Sequence, residues 1–488
     1  MRLSTHRATS LAVAVVLLAA AWALPHVRHV FIDDVTTWDA EPSPAAALPT
    51  GTGPGLAAAP QVRVILIDGL SAETAKTLPT WSALCKRGLS LTVDVGFPTI
   101  SLPVEAALWS GLTQQQTGIV FRSDRALSPP LVGIPSHVAG SHAVAENHAY
   151  IVRSLGFAKA EGDESKAWAE VWQQHAHDAV ASDERLVFVH VLRVDTAGHR
   201  HGRDSAEYRQ SAGEADAILA SLVDAAPDAR WFLLSDHGHR GPGGHGGEEQ
   251  EVRQVQHCIF GPGLAPATGG PVHVVDIARA LADSLEVTLD AHSLARPISA
   301  ALASPLGDDQ SVPATALGPG VAALFVLVVG GVVTALGVRR WWLAPWWFVL
   351  ACVSLVALRG LPTLSMPMVY APAGRAMYLT WLPAVVLAGV TAYAGISRVG
   401  LLRVLASQLA LPVAAMCAAF TVTRAWMPLF GAYVAPVVPR FTAWTSPLIL
   451  IAAHGMTAVA LAVLGNSARS AFGRPSRPEP PRSEPAAG

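Results

Sequence analysis

Cysteine is scarce: Cys85, Cys258, Cys352 and Cys417 are the four in 488 residues. Two of them, Cys352 and Cys417, lie in apolar runs, which leaves one possible pair and excludes a disulfide framework as the basis of the fold. Charge is also sparse, at 14% of residues, and nearly balanced at a net −2. No basic cluster stands out, so nucleic acid is excluded as a partner class. Charged residues are scarcest from Gly320 to Leu464 and concentrate between Asp68 and Glu286, a division into a membrane part and a soluble part.

What is present begins with Arg2 and Arg7 ahead of an apolar run, Leu11 to Leu24, that contains Ala21-Trp22-Ala23. Residues 1–25 read as a signal peptide or an uncleaved anchor, and either exports the soluble part of the chain. Residues 26–60, rich in Pro, Ala and Gly from Glu41 onward, read as a tether. Residues 61–302 read as a catalytic domain and 303–319 as a second linker. Residues 320–465 carry five apolar runs, Gly320–Val338, Trp342–Leu358, Met377–Ile396, Val404–Val422 and Pro447–Leu464. Each approaches the roughly 20 residues that cross a bilayer core. Arg339, Arg340, Arg398, Arg403 and the tail arginines of 466–488 mark cytoplasmic ends, which puts the catalytic domain outside the cytoplasm and leaves a disordered cytoplasmic tail. His454 lies inside the last run, where packing with a backbone hydrogen bond and a place in a functional cavity both account for it.

In the soluble part, buried-strand runs alternate with amphipathic helices: a strand to Ile67, a helix over Ala72–Leu84, a strand over Leu89–Val95 and a helix from Ser101. The pattern predicts an α/β fold with a mostly parallel sheet covered by helices on both faces. In such sheets the ligand site lies beyond the carboxyl ends of the strands. Asp68, Asp195 and Asp236 all fall at such ends. The run Val187–Leu192 leads into Asp195-Thr196-Ala197-Gly198-His199, and Trp231–Leu234 leads into Ser235-Asp236-His237 and a glycine-rich loop carrying His245. Carboxylates and imidazoles gathered by a flexible loop suit a divalent cation. The plainer reading makes Asp236 a cap and the loop histidines solvated. Residues 122–183 read as a mostly helical insertion over the site, a lid or acceptor pocket, with its clearest helix over Ala167–Val180. Its histidines His142, His148, His175 and His177 read as surface residues without carboxylate partners at ligand spacing. His190 reads as a satisfied core imidazole, and His201 and His239 as solvated loop residues.

Asp68-Gly69, the stretch Pro98-Thr99-Ile100-Ser101-Leu102-Pro103, His190 through His199, and Ser235 through Gly238 with His245-Gly246 together resemble the alkaline phosphatase superfamily. Within it they resemble the type I phosphodiesterase/nucleotide pyrophosphatase group and the ethanolamine-phosphate transferases that act on glycosylphosphatidylinositol. The resemblance implies two zinc ions, one held by Asp195, His199 and His245, the other by Asp68, Asp236, His237 and Ser101. Ions about 4 Å apart stabilise both the attacking and the leaving oxygen of an in-line displacement. Ser101, at a helix start, would attack phosphorus as nucleophile and give a phosphoseryl intermediate. Thr99 is the competing nucleophile, with a turn-supporting role as its alternative. Arg122 stands where the diesterase relatives carry an asparagine that holds a phosphate oxygen. It reads equally as a phosphate fork and as a surface arginine. Val104 replaces another asparagine of nucleotide-cleaving relatives, which disfavours nucleotides.

The resulting expectation is an exported, membrane-bound, two-metal phosphodiesterase or phosphoethanolamine-type transferase whose phosphoester substrate includes lipid head groups. A sulfatase of the same fold is the alternative enzyme, but Glu105 occupies the arginine position of its nucleophile motif. A non-catalytic scaffold or transporter is the alternative of another class, opposed by the complete ligand set.

Overall fold

The computed structural model describes residues 5–36, 42, 48–119, 125–241, 243–247, 249–307 and scattered positions between 453 and 465. Arg122, four of the five apolar runs beyond residue 319, most of the fifth, and the tail lie outside the described residues.

The chain opens with α1 (Thr5–Thr36), inside which Arg7–Leu24 is the one helical stretch among the described residues long and apolar enough to cross a membrane. Ser10, Val13, Ala14 and Leu17 on one stripe of α1 are covered, while Leu11, Val15, Val16 and Trp22 stand exposed. The helix runs on through residues 26–36, the first part of the expected tether. Nor do the 50s hang free. Ala59 N–H donates to Ser284 O at 2.9 Å, and Ser299 Oγ donates to Pro54 O at 2.8 Å. A Cβ on Gly55 would meet Asp283 Oδ2 at 2.3 Å, so the glycine allows this docking.

The soluble domain then runs β1 (Val62–Ile67), α2 (Ala72–Ala75), α3 (Pro79–Cys85), β2 (Leu89–Asp94), α4 (Ser101–Ser110) and α5 (Gln114–Thr117). The expected single helix over 72–84 is split because Pro79 has no N–H for a preceding carbonyl and starts a new helix instead. Next come β3 (Ser141–Ala145), α6 (Tyr150–Ser154), β4 (Lys159–Glu161), α7 (Lys166–Ala181), β5 (Leu186–Val191), α8 (Arg193–His201) and α9 (Ala206–Ala225). The chain continues with β6 (Arg230–Leu234), α10 (Gln250–Arg253), β7 (Gln254–Phe260), β8 (Ala267–His273), α11 (Val274–Leu285) and α12 (Ile298–Ala303).

The strands form one eight-stranded sheet, ordered β4-β3-β5-β1-β6-β7-β2-β8. Only β7 runs antiparallel to its neighbours. β1, β5 and β6 are buried along their whole length, as expected for central strands of a parallel sheet. α4 and α11 pack with the Val64 and Leu66 face, and α3, α7 and α9 with the Ile65 and Ile67 face. The stretch 122–183 is no separate lid: β3 pairs with β5 and β4 with β3, so it extends the sheet. His142 in β3 is 6% exposed and contacts Glu161 at 2.9 Å, and His175 contacts the same carboxylate at 2.7 Å. Both have the carboxylate partner the sequence did not show. Cys85 of α3 and Cys258 of β7 are joined in a disulfide across a sequence separation of 173.

Candidate metal centre

β5, β1 and β6 are adjacent, so Asp195, Asp68 and Asp236 leave the sheet side by side at their carboxyl ends. Two groups of ligating atoms form there. In the first, His199 Nε2 lies 3.3 Å from Asp195 Oδ2 and 3.0 Å from His245 Nε2. His245 Nδ1–H donates to Thr99 O at 2.8 Å, which leaves Nε2 with its lone pair turned toward His199 and Asp195. In the second, His237 Nε2 lies 3.2 Å from Asp236 Oδ2 and 3.5 Å from Asp68 Oδ1. Its Nδ1–H faces Gly238 O at 3.2 Å, so here too Nε2 is the free nitrogen. Asp236 Oδ1 accepts from the backbone N–H of Gly69 at 3.1 Å and of His237 at 3.0 Å, which fixes the carboxylate and aims Oδ2 at the group.

Ser101 joins the second group. Its hydroxyl donates to Asp68 Oδ1 at 3.4 Å and lies 3.3 Å from His237 Nε2. Being the first residue of the ten-residue α4, it also sits at the positive end of a helix dipole. Thr99 is occupied elsewhere: its Oγ1 donates to Gly247 O at 2.8 Å and accepts from Gly246 N at 2.9 Å. The threonine therefore ties the glycine-rich loop down, and with its carbonyl it orients His245.

The donors fit cations. Asp236 Oδ2 is buried without a hydrogen-bond partner, and such an arrangement is costly unless a positive ion meets it. Burial, helped by the Asp195 charge, raises the Asp68 pKa to about 6, and burial with Asp68 raises Asp236 well above the carboxylate range. Burial lowers His199 to about 4 and His237 to about 3, and holds His245 well below 6.5. The imidazoles are thus neutral ligands at physiological pH. Burial opposes ionisation of Asp195 as well, yet His199, a hydrogen bond from His239 and His245 together keep it well below the usual range.

His239 departs from the solvated role expected of a loop residue. It is fully buried, and its Nε2–H donates to Asp195 Oδ1 at 2.9 Å. Room for its ring comes from two glycines: a Cβ on Gly198 would come within 2.4 Å of it, and one on Gly69 within 2.9 Å. His190 is buried as expected, with its Nε2 3.3 Å from Asp68 Oδ2 and 3.1 Å from Glu105 Oε1; burial opposes its charge, but Glu105 and Asp68 raise its pKa well above 6.5. His148 takes a left-handed φ of 51° close enough to Asp195 for that charge to act on it.

Residues 139–241 match the family model for type I phosphodiesterase / nucleotide pyrophosphatase, a stretch that includes Asp195, His199, Asp236, His237 and His239. Two curated relatives are similar: GPI ethanolamine phosphate transferase 1 of Yarrowia lipolytica, 30% identical over 94 residues, and that of Schizosaccharomyces pombe, 27% over 106. These alignments cover 18% and 20% of this chain and 10% and 11% of the relatives, so the matched stretch is about a tenth of their length. Among solved structures, murine ectonucleotide pyrophosphatase / phosphodiesterase 5 is 15% identical at a TM-score of 0.40, covering 48% of this chain and 96% of its own. A protein in the alkaline phosphatase superfamily from Vibrio parahaemolyticus is 14% identical at 0.38, covering 60% and 78%. The resemblance carried by the sequence motifs is found again in the family model and in the curated relatives.

Proposed function

We propose that this chain is a two-metal phosphoryl-transfer enzyme that acts through a phosphoserine at Ser101. The observation that carries this reading is the convergence of Ser101 Oγ with Asp68 and His237 at the start of α4. A hydroxyl that merely capped a helix would need no buried carboxylate and neutral imidazole within 3.5 Å.

Asp195, His199 and His245 would hold one divalent ion, with His239 fixing the Asp195 carboxylate from behind. Asp68, Asp236 and His237 would hold the other beside Ser101. Bound there, two such ions supply the positive charge that lowers the serine pKa and neutralises charge developing on the phosphoryl oxygens. We take both to be zinc, because imidazole and carboxylate donors suit it. Ser101 Oγ would form the new P–O bond as the bond from phosphorus to the leaving oxygen breaks, its proton passing by way of its acceptor Asp68 Oδ1 to that leaving oxygen. Water or an acceptor hydroxyl then displaces Ser101 from phosphorus, giving hydrolysis or transfer respectively.

The GPI ethanolamine phosphate transferase relatives, the apolar stretch of α1 and the apolar runs beyond residue 319 support a membrane-bound enzyme with its catalytic domain, residues 61–302, outside the cytoplasm. They favour transfer of a lipid-derived phosphoethanolamine group. Arg122 is assigned to the transferring phosphate.

A colorimetric phosphodiester assay on the full chain in detergent tests this reading. Turnover should disappear with a chelator and return with zinc. Chelator-resistant turnover would overturn the two-metal mechanism, and no turnover under any metal with the phosphodiester and with phosphatidylethanolamine argues for the scaffold alternative.

A further inference from the structure

We propose that His148, at the rim of the Asp195 group, binds the alcohol that leaves phosphorus or accepts it. This role deepens the two-ion reading and rests on it. Beyond β3 the chain continues beside β5, where Glu146 N–H donates to His190 O at 2.9 Å. Glu146 Oε2 accepts from Leu192 N at 2.8 Å and Arg193 N at 3.0 Å, which ties this segment to the start of α8, the helix that carries Asp195 and His199. Of the charges around His148, Asp195 acts on it most strongly, and His148 in turn acts on His199. It stands outside the close group of ligating atoms that Asp195, His199, His239 and His245 form. An imidazole one step out from the ligands meets what binds beside the ion rather than the ion.

The backbone adds a second observation. His148 takes a φ of 51°, uncommon for a residue with a Cβ and free of cost for glycine. The turn alone would favour glycine, and the side chain, 44% exposed, fills little of the core, so the ring has another use. Its Nδ1 faces Glu164 Oε1 at 3.6 Å, and burial lowers its pKa below 6.5 although Asp195 opposes this. With Nδ1–H toward Glu164, Nε2 keeps a lone pair that can accept from a hydroxyl. The Tyr150 ring, its centroid 5.6 Å from that of His148, adds apolar surface for the carbons that an alcohol has and water lacks. In an in-line displacement, the alcohol that leaves and the alcohol that later attacks both lie opposite Ser101, on the side of the Asp195 group. One residue at that rim therefore serves both.

His148→Gly tests this, because glycine suits the backbone and removes the ring. The full chain in detergent, loaded with Zn2+, is given a p-nitrophenyl phosphodiester as donor and glycerol as acceptor, and the glycerol product is measured against hydrolysis. The ratio of transfer to hydrolysis should fall roughly tenfold in the variant, as for the loss of one hydrogen bond, while the bound zinc stays at the wild-type amount. Added imidazole should restore part of the ratio in the variant and leave the wild type unchanged, a rescue that a merely structural role would not give. His148→Asn, which tolerates the same φ with a shorter side chain, should show the same fall and keeps the test open if the glycine variant does not fold. An unchanged ratio, or a loss of zinc, overturns the role given to His148. So does a wild type that gives no glycerol product while Ser101 carries the phosphoryl adduct. Absence of that adduct in a wild type that turns over overturns the reading on which the role rests.

Discussion

His237 and His245, one from each ligand group, lie face to face with ring centroids 3.7 Å apart and planes 14° from parallel. Two imidazolium ions would repel at that spacing, and burial lowers both rings below the ordinary histidine range. The stack therefore couples the groups: each ring supports the other's place, and each turns its Nε2 toward its own carboxylate. Replacing His245 by Ala should lower turnover by on the order of 100-fold or more, beyond the loss typical of outer partners of metal ligands. Bound zinc should fall by one ion per chain. Unchanged metal content in that variant removes His245 from the ligand set.

His239 acts through Asp195. His239→Ala should weaken zinc binding at the Asp195 group by roughly 10- to 100-fold, the usual cost of losing a hydrogen bond behind a ligand. His239→Gln, whose amide can still donate to Asp195 Oδ1, should recover part of the loss. Calorimetric zinc titration of the three chains separates this from general damage, because binding at the Asp68 group should stay unchanged.

Thr99 and Ser101 should part company under mutation. Thr99→Ser keeps the hydroxyl that holds Gly246 and Gly247 and should remain active. Thr99→Val strands two buried backbone groups and should destabilise the domain by about 1–3 kcal/mol in urea titrations. Activity retained by Ser101→Ala but lost by a folded Thr99→Val would exchange their roles.

His257 of β7, which is not among the proposed ligands, reports on acid stability. Its Nε2–H donates to Ser235 O at 2.7 Å, and burial lowers its pKa from 6.5 to about 4. The unfolded chain takes up this proton before the folded one does, so the contribution is complete above pH 6.5 and is lost as pH falls toward 4. Between pH 7 and 5 the wild type should lose about 2 kcal/mol more than His257→Gln in denaturant titrations. Parallel losses would contradict the assignment.

The sheet and much of the site were legible because their signals are local. Largely apolar runs leading into Asp68, Asp195 and Asp236 announce central parallel strands, and three such ends meet where those strands are adjacent. His239 was not legible, because its place depends on space left by Gly69 and Gly198 in other segments. β4, three residues long, is too short for a period to show, so 122–183 read as an insertion. Glu105 did leave a signal: a carboxylate amid Leu102, Pro103, Val104, Ala106, Ala107, Leu108 and Trp109 needs a buried partner. Its place in the sulfatase motif says only which residue is missing there, and nothing of that partner. The Cys85–Cys258 bond joins the one pair left possible once Cys352 and Cys417 are placed in apolar runs, although nothing in the sequence says that it forms.

Mass mapping of Ser101 during turnover is the most direct test of the central claim. The full chain, loaded with zinc and quenched in acid while consuming a phosphodiester, should carry a phosphoryl-derived adduct on the peptide containing Ser101. The adduct should be absent after chelation and in Asp236→Ala. Wild-type turnover rates in Ser101→Ala, with no adduct on any serine of the native chain, would contradict it.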